Sequence, residues 1–199
     1  DWGAVYDYVF KDHYADPGET RALIRELIPR GSEAINWAHL MLGELVKRNY
    51  RSTIITTNFD TLALDGMARA GILPSVSDGL ESLDRVTGTP DWPQLIQING
   101  SLHTYRLRNS QGDLDELAEN GEAEKAFSAL YEHAAAFVVL GYAGRERGVM
   151  DLLISAAKRH PQKPVYWIQH SKNRDSLFGQ VKAFLDVAQA HRVLTGWDA

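Results

Sequence analysis

Short apolar segments that alternate with helix-like segments constrain the fold of this chain more than any other feature. Segments of this length, rich in β-branched and aromatic residues, predict buried strands. Strands that alternate with helices form a parallel sheet with helices on both faces. We therefore predict an α/β, Rossmann-like fold. The predicted strands are 53–56, 95–98, 137–140, 164–168 and a short last strand at 192–194.

Helical periodicity accounts for most of the remaining chain. The first fifty residues predict helices, one of which begins near Asp16 with Pro17 in its first turn, and Ser32 is a plausible N-cap for another. Residues 74–93 carry turn residues and little periodicity, so they predict a long connection. No repeat, low-complexity tract or linker is visible, and we predict one domain over 1–199. Later helices are predicted at 60–70, 113–135, 149–160 and 176–191.

Composition excludes several classes of protein. The chain has 199 residues and no cysteine, so it has neither a disulfide framework nor a thiolate zinc site. The formal net charge of −5 argues against general nucleic-acid binding. No apolar run approaches the roughly 18 residues of a membrane helix. No export signal follows Asp1, and we expect a cytoplasmic protein of bacterial type that contacts neither membrane nor nucleic acid.

Small and polar residues follow the predicted strands, where ligands bind in parallel α/β sheets. A glycine there lets a backbone N–H approach a phosphate or a ribose. Asparagine offers both a donor and an acceptor for ribose hydroxyls. The candidate ligand-binding residues are Thr56, Thr57, Asn58 and Asp60 after the first strand, Asn99, Gly100 and Ser101 after the second, and Gly141, Tyr142, Ala143 and Arg145 after the third.

Several of these residues also have plain structural explanations. Asp60 has the position of a helix N-cap, and Asn99-Gly100 has the composition of an ordinary turn. Gly141 has the position of a strand-to-helix hinge. The histidines show no partner at metal-ligand spacing, so no metal site is predicted.

The ordered motifs resemble the sirtuin-like NAD-binding domain, and more narrowly its bacterial cysteine-free branch, which is found as NAD-consuming effectors in phage defence. The resemblance covers roughly residues 30 to 170. It rests on the segments Ile54-Ile55-Thr56-Thr57-Asn58-Phe59-Asp60, Gln97-Ile98-Asn99-Gly100-Ser101 and Gly141-Tyr142-Ala143-Gly144-Arg145.

The resemblance implies NAD⁺ hydrolysis, with nicotinamide and ADP-ribose as products and with NAD as the ligand. It gives Asn58 the placement of ribose and water, Asp60 the support of the site's hydrogen bonds, and Asn99 the position of the catalytic base. The Gly141 turn is expected beside the adenosine. Deacetylation is disfavoured, because that branch carries a four-cysteine zinc module. A homo-oligomer or a defence-complex partner is also expected.

Three departures from the family pattern lead to two hypotheses, an active hydrolase and an inactive binding module. The family has a histidine base where this chain has Asn99, and an amide takes no proton near neutral pH; His103 is a candidate substitute. The branch carries Ser and Asp where this chain has Ala143 and Glu146. The family's opening strand and Gly-rich phosphate loop do not precede the first helices, so we expect the domain to lack them. The alternative to a hydrolase is therefore an inactive module that binds NAD or ADP-ribose.

Overall fold

A computed structural model describes residues 8, 16–27, 35–49, 52–101, 120–169, 177 and 179–195. The chain forms two compact units, Asp1–Asp113 and Leu114–Ala199. Each unit contains a three-stranded parallel sheet. The predicted α/β class with parallel strands is confirmed. The first part of the helix predicted over 113–135, residues 113–119, lies outside the described residues.

The first unit begins its described part with two capped helices. Helix α1 spans Pro17–Leu27, and Asp16 caps it by accepting from the N–H of Gly18 at 2.7 Å, as the sequence predicts. Helix α2 spans Trp37–Arg48, and its N-cap is Asn36, which forms a reciprocal capping box with His39. The predicted cap, Ser32, is therefore wrong, and that residue lies outside the described part of the chain.

The sheet of the first unit has the order β1-β3-β2. Strand β1 spans Thr53–Thr56, β2 spans Ser75–Asp78 and β3 spans Gln94–Gln97. Helix α3, Leu62–Arg69, follows β1, and a 3₁₀ helix, Leu80–Arg85, follows β2. Gln97 of β3 lies level with the last residues of both neighbours, Thr56 and Asp78. The loops after all three strands therefore leave the sheet at the same edge.

Strand β2 corrects the prediction that 74–93 is an irregular connection. Ser75–Asp78 contains one large apolar residue, Val76, so it shows no apolar run. Pairing with β3 creates the strand, and Ser82 supports it by accepting from the N–H of Asp78 at 2.7 Å. Tertiary pairing thus overrides weak local propensity here.

Helices α2 and α3 approach each other closely through two glycines. A Cβ at Gly43 would overlap the carbonyl group of Gly66, and a Cβ at Gly66 would overlap that of His39. Below this contact, Val46 and Met67 pack with Leu95 in the core of the unit. The glycines thus bring both helices against the sheet that carries β3.

The second unit has the strand order β4-β5-β6. The central strand contributes the buried Val165 and Trp167, and Trp167 contacts Phe184 with ring centroids 6.1 Å apart. No helix in the described ranges is long and apolar enough to cross a membrane. The elements are α4 Gly121–His133, β4 Phe137–Leu140, α5 Arg147–Arg159, β5 Val165–Gln169, α6 Gly179–Val187 and β6 His191–Thr195.

Candidate functional site

The loop after β1 presents Asn58 on an ordered backbone. The N–H of Asn58 donates to Thr56 Oγ1 at 3.1 Å, and the Asn58 residue is exposed. Asp60 Oδ1 accepts from the N–H of Leu62 at 2.9 Å. Asp60 therefore forms an Asx-type turn directly before α3, whose N-cap is Thr61 and not Asp60, the residue that the sequence offered as a cap.

Two buried side-chain amides, one at the end of β3 and one in the turn after it, reach this loop. Gln97 Nε2 donates to the carbonyl of Asp60 at 3.1 Å, and Asn99 Nδ2 donates to the carbonyl of Thr57 at 3.1 Å. The exposed fractions of Gln97 and Asn99 are 2% and 4%. Both amides therefore act as donors to the backbone of the segment that contains Asn58.

The bond to Thr57 fixes the orientation of the Asn99 amide. A carbonyl oxygen accepts hydrogen bonds only, so the NH₂ group of Asn99 must face Thr57. This places Oδ1 on the other side, where it is buried and has no hydrogen-bond partner among the described residues. A buried acceptor without a partner costs about 1–3 kcal/mol, and a ligand hydroxyl or a water would recover that cost.

The turn after β3 requires a glycine at position 100. Gly100 has φ +85°, a region that other residues rarely adopt, and its N–H donates to the carbonyl of Gln97 at 2.9 Å. The turn brings the fully buried Ser101 to the end of β2, where its hydroxyl donates to the Asp78 carboxylate. Asn99 and Ser101 therefore connect the turn to the loops on both sides of β3.

The loop after β4 carries the other predicted ligand residues and is part of the second unit. Gly141 has φ +66° and is exposed, as are Ala143 and Arg145. Tyr142 packs against Trp167, with ring centroids 6.1 Å apart. Burial, together with the nearby Glu146 carboxylate, raises the pKa of the Tyr142 phenol above its ordinary value, so the phenol stays neutral.

The structure adds three residues that sequence reasoning missed. Gln97 and Asp78 hold the neighbouring loops of the first unit, as described above. Gly144 has φ +71°, and a Cβ there would collide with Val181. The position of Gln97 near the end of the predicted strand was a usable signal, because ligands bind at the carboxyl ends of parallel strands. His103 lies outside the described residues, and within those residues no group of three or more acidic or histidine side chains is arranged to hold a metal ion.

Parallel α/β units with glycine, asparagine and aspartate at their strand ends define a Rossmann-like class of protein. The chain belongs to the SIR2-like domain family, whose sequence profile matches residues 52–189. The match includes the loops after β1, β3 and β4, and it implies a function that involves NAD. No curated protein matches the chain.

Proposed function

We propose that this chain binds NAD⁺ at the ends of β1 and β3 and hydrolyses its nicotinamide–ribose bond. The observation that carries the proposal is the buried Oδ1 of Asn99, to which no described residue donates a hydrogen bond, beside the loop that presents Asn58. This oxygen needs a hydrogen-bond donor, and a ribose hydroxyl is a donor of suitable size and polarity. The exposed Asn58 amide adds a donor and an acceptor on the loop that Asn99 contacts.

The reaction makes modest demands on the protein. The C1′–N bond breaks with its electron pair going to nicotinamide, and a water oxygen forms the new bond to C1′ and releases a proton. Positive charge develops on the ribose, so neutral acceptors and a fixed ribose lower the barrier. Asn58 orients ribose and water, Asn99 accepts from a ribose hydroxyl, and Asp60 keeps the loop attached to α3.

We further propose that Gly100 and Ser101 line the ligand, as do Thr56 and Thr57 at the end of β1. For the second unit, taken by itself, we propose that the loop with Gly141, Tyr142, Ala143 and Arg145 contacts an adenosine group. The cysteine-free motifs support an effector role in bacterial phage defence, with loss of cellular NAD⁺ as the outcome.

A second function is favoured by one specific contact. The Asn99 amide donates to Thr57, and an amide is not a base at neutral pH. On this ground the same site would bind NAD or ADP-ribose without turnover, as a sensor or a scaffold. Both functions need the same ribose contacts, and they differ only in nicotinamide release.

The experiment is nicotinamide release from NAD⁺, measured with the unaltered chain, Asn58→Ala and Asn49→Ala. Asn49 is an exposed asparagine at the C-terminus of α2, so it is a matched control. We expect release that disappears in Asn58→Ala and persists in Asn49→Ala. A thermal shift with ADP-ribose but no release would establish the binding module instead. If the unaltered chain shows no nicotinamide release and no thermal shift with ADP-ribose, both proposed functions are wrong.

A further inference from the structure

The amide of Gln97 has no direct role in the chemistry proposed above, yet it holds the loop that performs it. Its bond to the Asp60 carbonyl and the bond of Asn99 to the Thr57 carbonyl fall on either side of Asn58. The N–H of Asn58 itself is bonded to Thr56 Oγ1. The backbone of the loop is therefore held before, at and after the residue whose side chain is exposed.

A buried amide at position 97 depends on the hydrogen bonds that it forms. The residue is almost fully buried, and its neighbours Leu95, Ile96 and Ile98 are apolar. A buried amide must form hydrogen bonds to offset a desolvation cost of about 1–3 kcal/mol, whereas an apolar side chain of the same size has no such requirement. What the amide adds is a fixed position for the Asp60 carbonyl.

We infer that Gln97 is a positioning residue of the NAD site, which acts through the loop 57–60 and thereby through Asn58. Asn99 is the second donor that holds this loop. The inference rests on the proposed function, because it assigns to Gln97 an effect on ligand binding. A loop fixed before the ligand arrives loses less conformational freedom on binding, so the bonds of Gln97 and Asn99 increase affinity.

Gln94 provides a matched control on the same strand. It is also buried, and its Nε2 donates to Thr53 Oγ1 at 2.9 Å and to the Thr87 carbonyl at 2.8 Å. Its Oε1 accepts from the N–H of Thr87 at 3.0 Å. Replacing either glutamine with methionine exchanges a buried amide of β3 for an apolar side chain of similar length. Only Gln97 contacts the loop with Asn58.

The experiment compares Gln97→Met and Gln94→Met with the unaltered full chain. ADP-ribose affinity is measured by titration calorimetry below the unfolding midpoint of each protein, and amide hydrogen exchange is measured without ligand. We expect both variants to unfold at lower temperature. We expect Gln97→Met to weaken ADP-ribose binding about tenfold and Gln94→Met to change it less than about twofold. Should Gln97→Met fail to fold, Gln97→Leu removes the same amide with a differently shaped apolar side chain.

Hydrogen exchange separates the positioning role from a loss of stability. In Gln97→Met, exchange should accelerate at residues 57–62, whereas in Gln94→Met it should accelerate around Thr87. Equal ADP-ribose affinities for Gln97→Met and the unaltered chain would overturn the inference and leave the proposed function intact. If the unaltered chain binds no ADP-ribose, the proposed function and the ligand role of Gln97 both fail. Unchanged exchange at 57–62 would overturn the loop-holding role itself.

Discussion

The side chain of Asn99 donates to the backbone carbonyl of Thr57 at 3.1 Å, which joins the turn after β3 to the loop after β1. This contact makes Asn99 a structural donor on one side and a buried acceptor on the other. Neither role supplies a base. The rate of any hydrolysis at this site is therefore sensitive to the residue at position 99.

Asn99→His should raise nicotinamide release from NAD⁺. A histidine titrates near neutral pH and supplies the base that the amide lacks, and general-base catalysis contributes roughly 10²–10⁴-fold. We expect an increase of at least about tenfold in steady-state release. Asn49→His places the same residue at an exposed position as a control. An unchanged rate in Asn99→His would show that position 99 does not contact the reacting ribose.

Gly100→Ala should weaken ADP-ribose binding as well as stability. Alanine at φ +85° costs about 1–2 kcal/mol, and relief of that strain would displace Asn99 and Ser101. Gly71 is the matched control, since it has φ +83° and no atom of a described residue lies within 4 Å of an added Cβ. Gly71→Ala should lose similar stability in urea unfolding and keep its ADP-ribose affinity. Equal affinity losses in both variants would contradict a site at the Gly100 turn.

Tyr131→Phe should make the chain more resistant to alkaline unfolding. Burial raises the pKa of Tyr131 to about 12, and its hydroxyl has no hydrogen-bond partner among the described residues. The unfolded chain releases this proton near pH 10 and the folded chain only near pH 12, so stability falls as pH rises through that window. The phenylalanine variant lacks this loss.

The measurement for Tyr131 is the free energy of unfolding in urea, taken at pH 8 and at several values up to pH 11. Tyr166→Phe, which removes a partly exposed tyrosine from β5, is the comparison. At pH 8 we expect Tyr131→Phe to be neutral or stabilising, because it removes a buried hydroxyl without a partner. A pronounced destabilisation at pH 8 would show that the hydroxyl is bonded in solution.

Sequence patterns predicted the strands that consist largely of apolar residues. Thr53–Thr56 and Phe137–Leu140 have the predicted bounds, since β-branched and aromatic residues mark them locally. Ser75–Asp78 was missed because its pairing partner, β3, stabilises a segment with little apolar character. The cap of α2 was misplaced because its capping box uses His39 where glutamate or glutamine is usual.

The residues of the candidate site could be predicted from the sequence, whereas the hydrogen bonds between them could not. The loops that carry Asn58 and Asn99 follow strands, and local patterns indicated those strands. The contact of Gln97 with Asp60 depends on the register between β1 and β3, which no local pattern specifies. The orientation of the Asn99 amide likewise depends on a carbonyl forty-two positions away in the chain.

The bonded turn at Asn99-Gly100 also governs how this protein ages chemically. Asparagine followed by glycine deamidates when the glycine nitrogen attacks the side-chain carbonyl carbon and expels ammonia, which leaves a cyclic imide that water opens to aspartate or isoaspartate. Here the Gly100 N–H is bonded to Gln97 and the Asn99 amide to Thr57, so the folded chain restrains both reacting groups. Spontaneous conversion of Asn99 to aspartate thus proceeds through the locally opened turn, and its accumulation in stored protein records how often that turn opens.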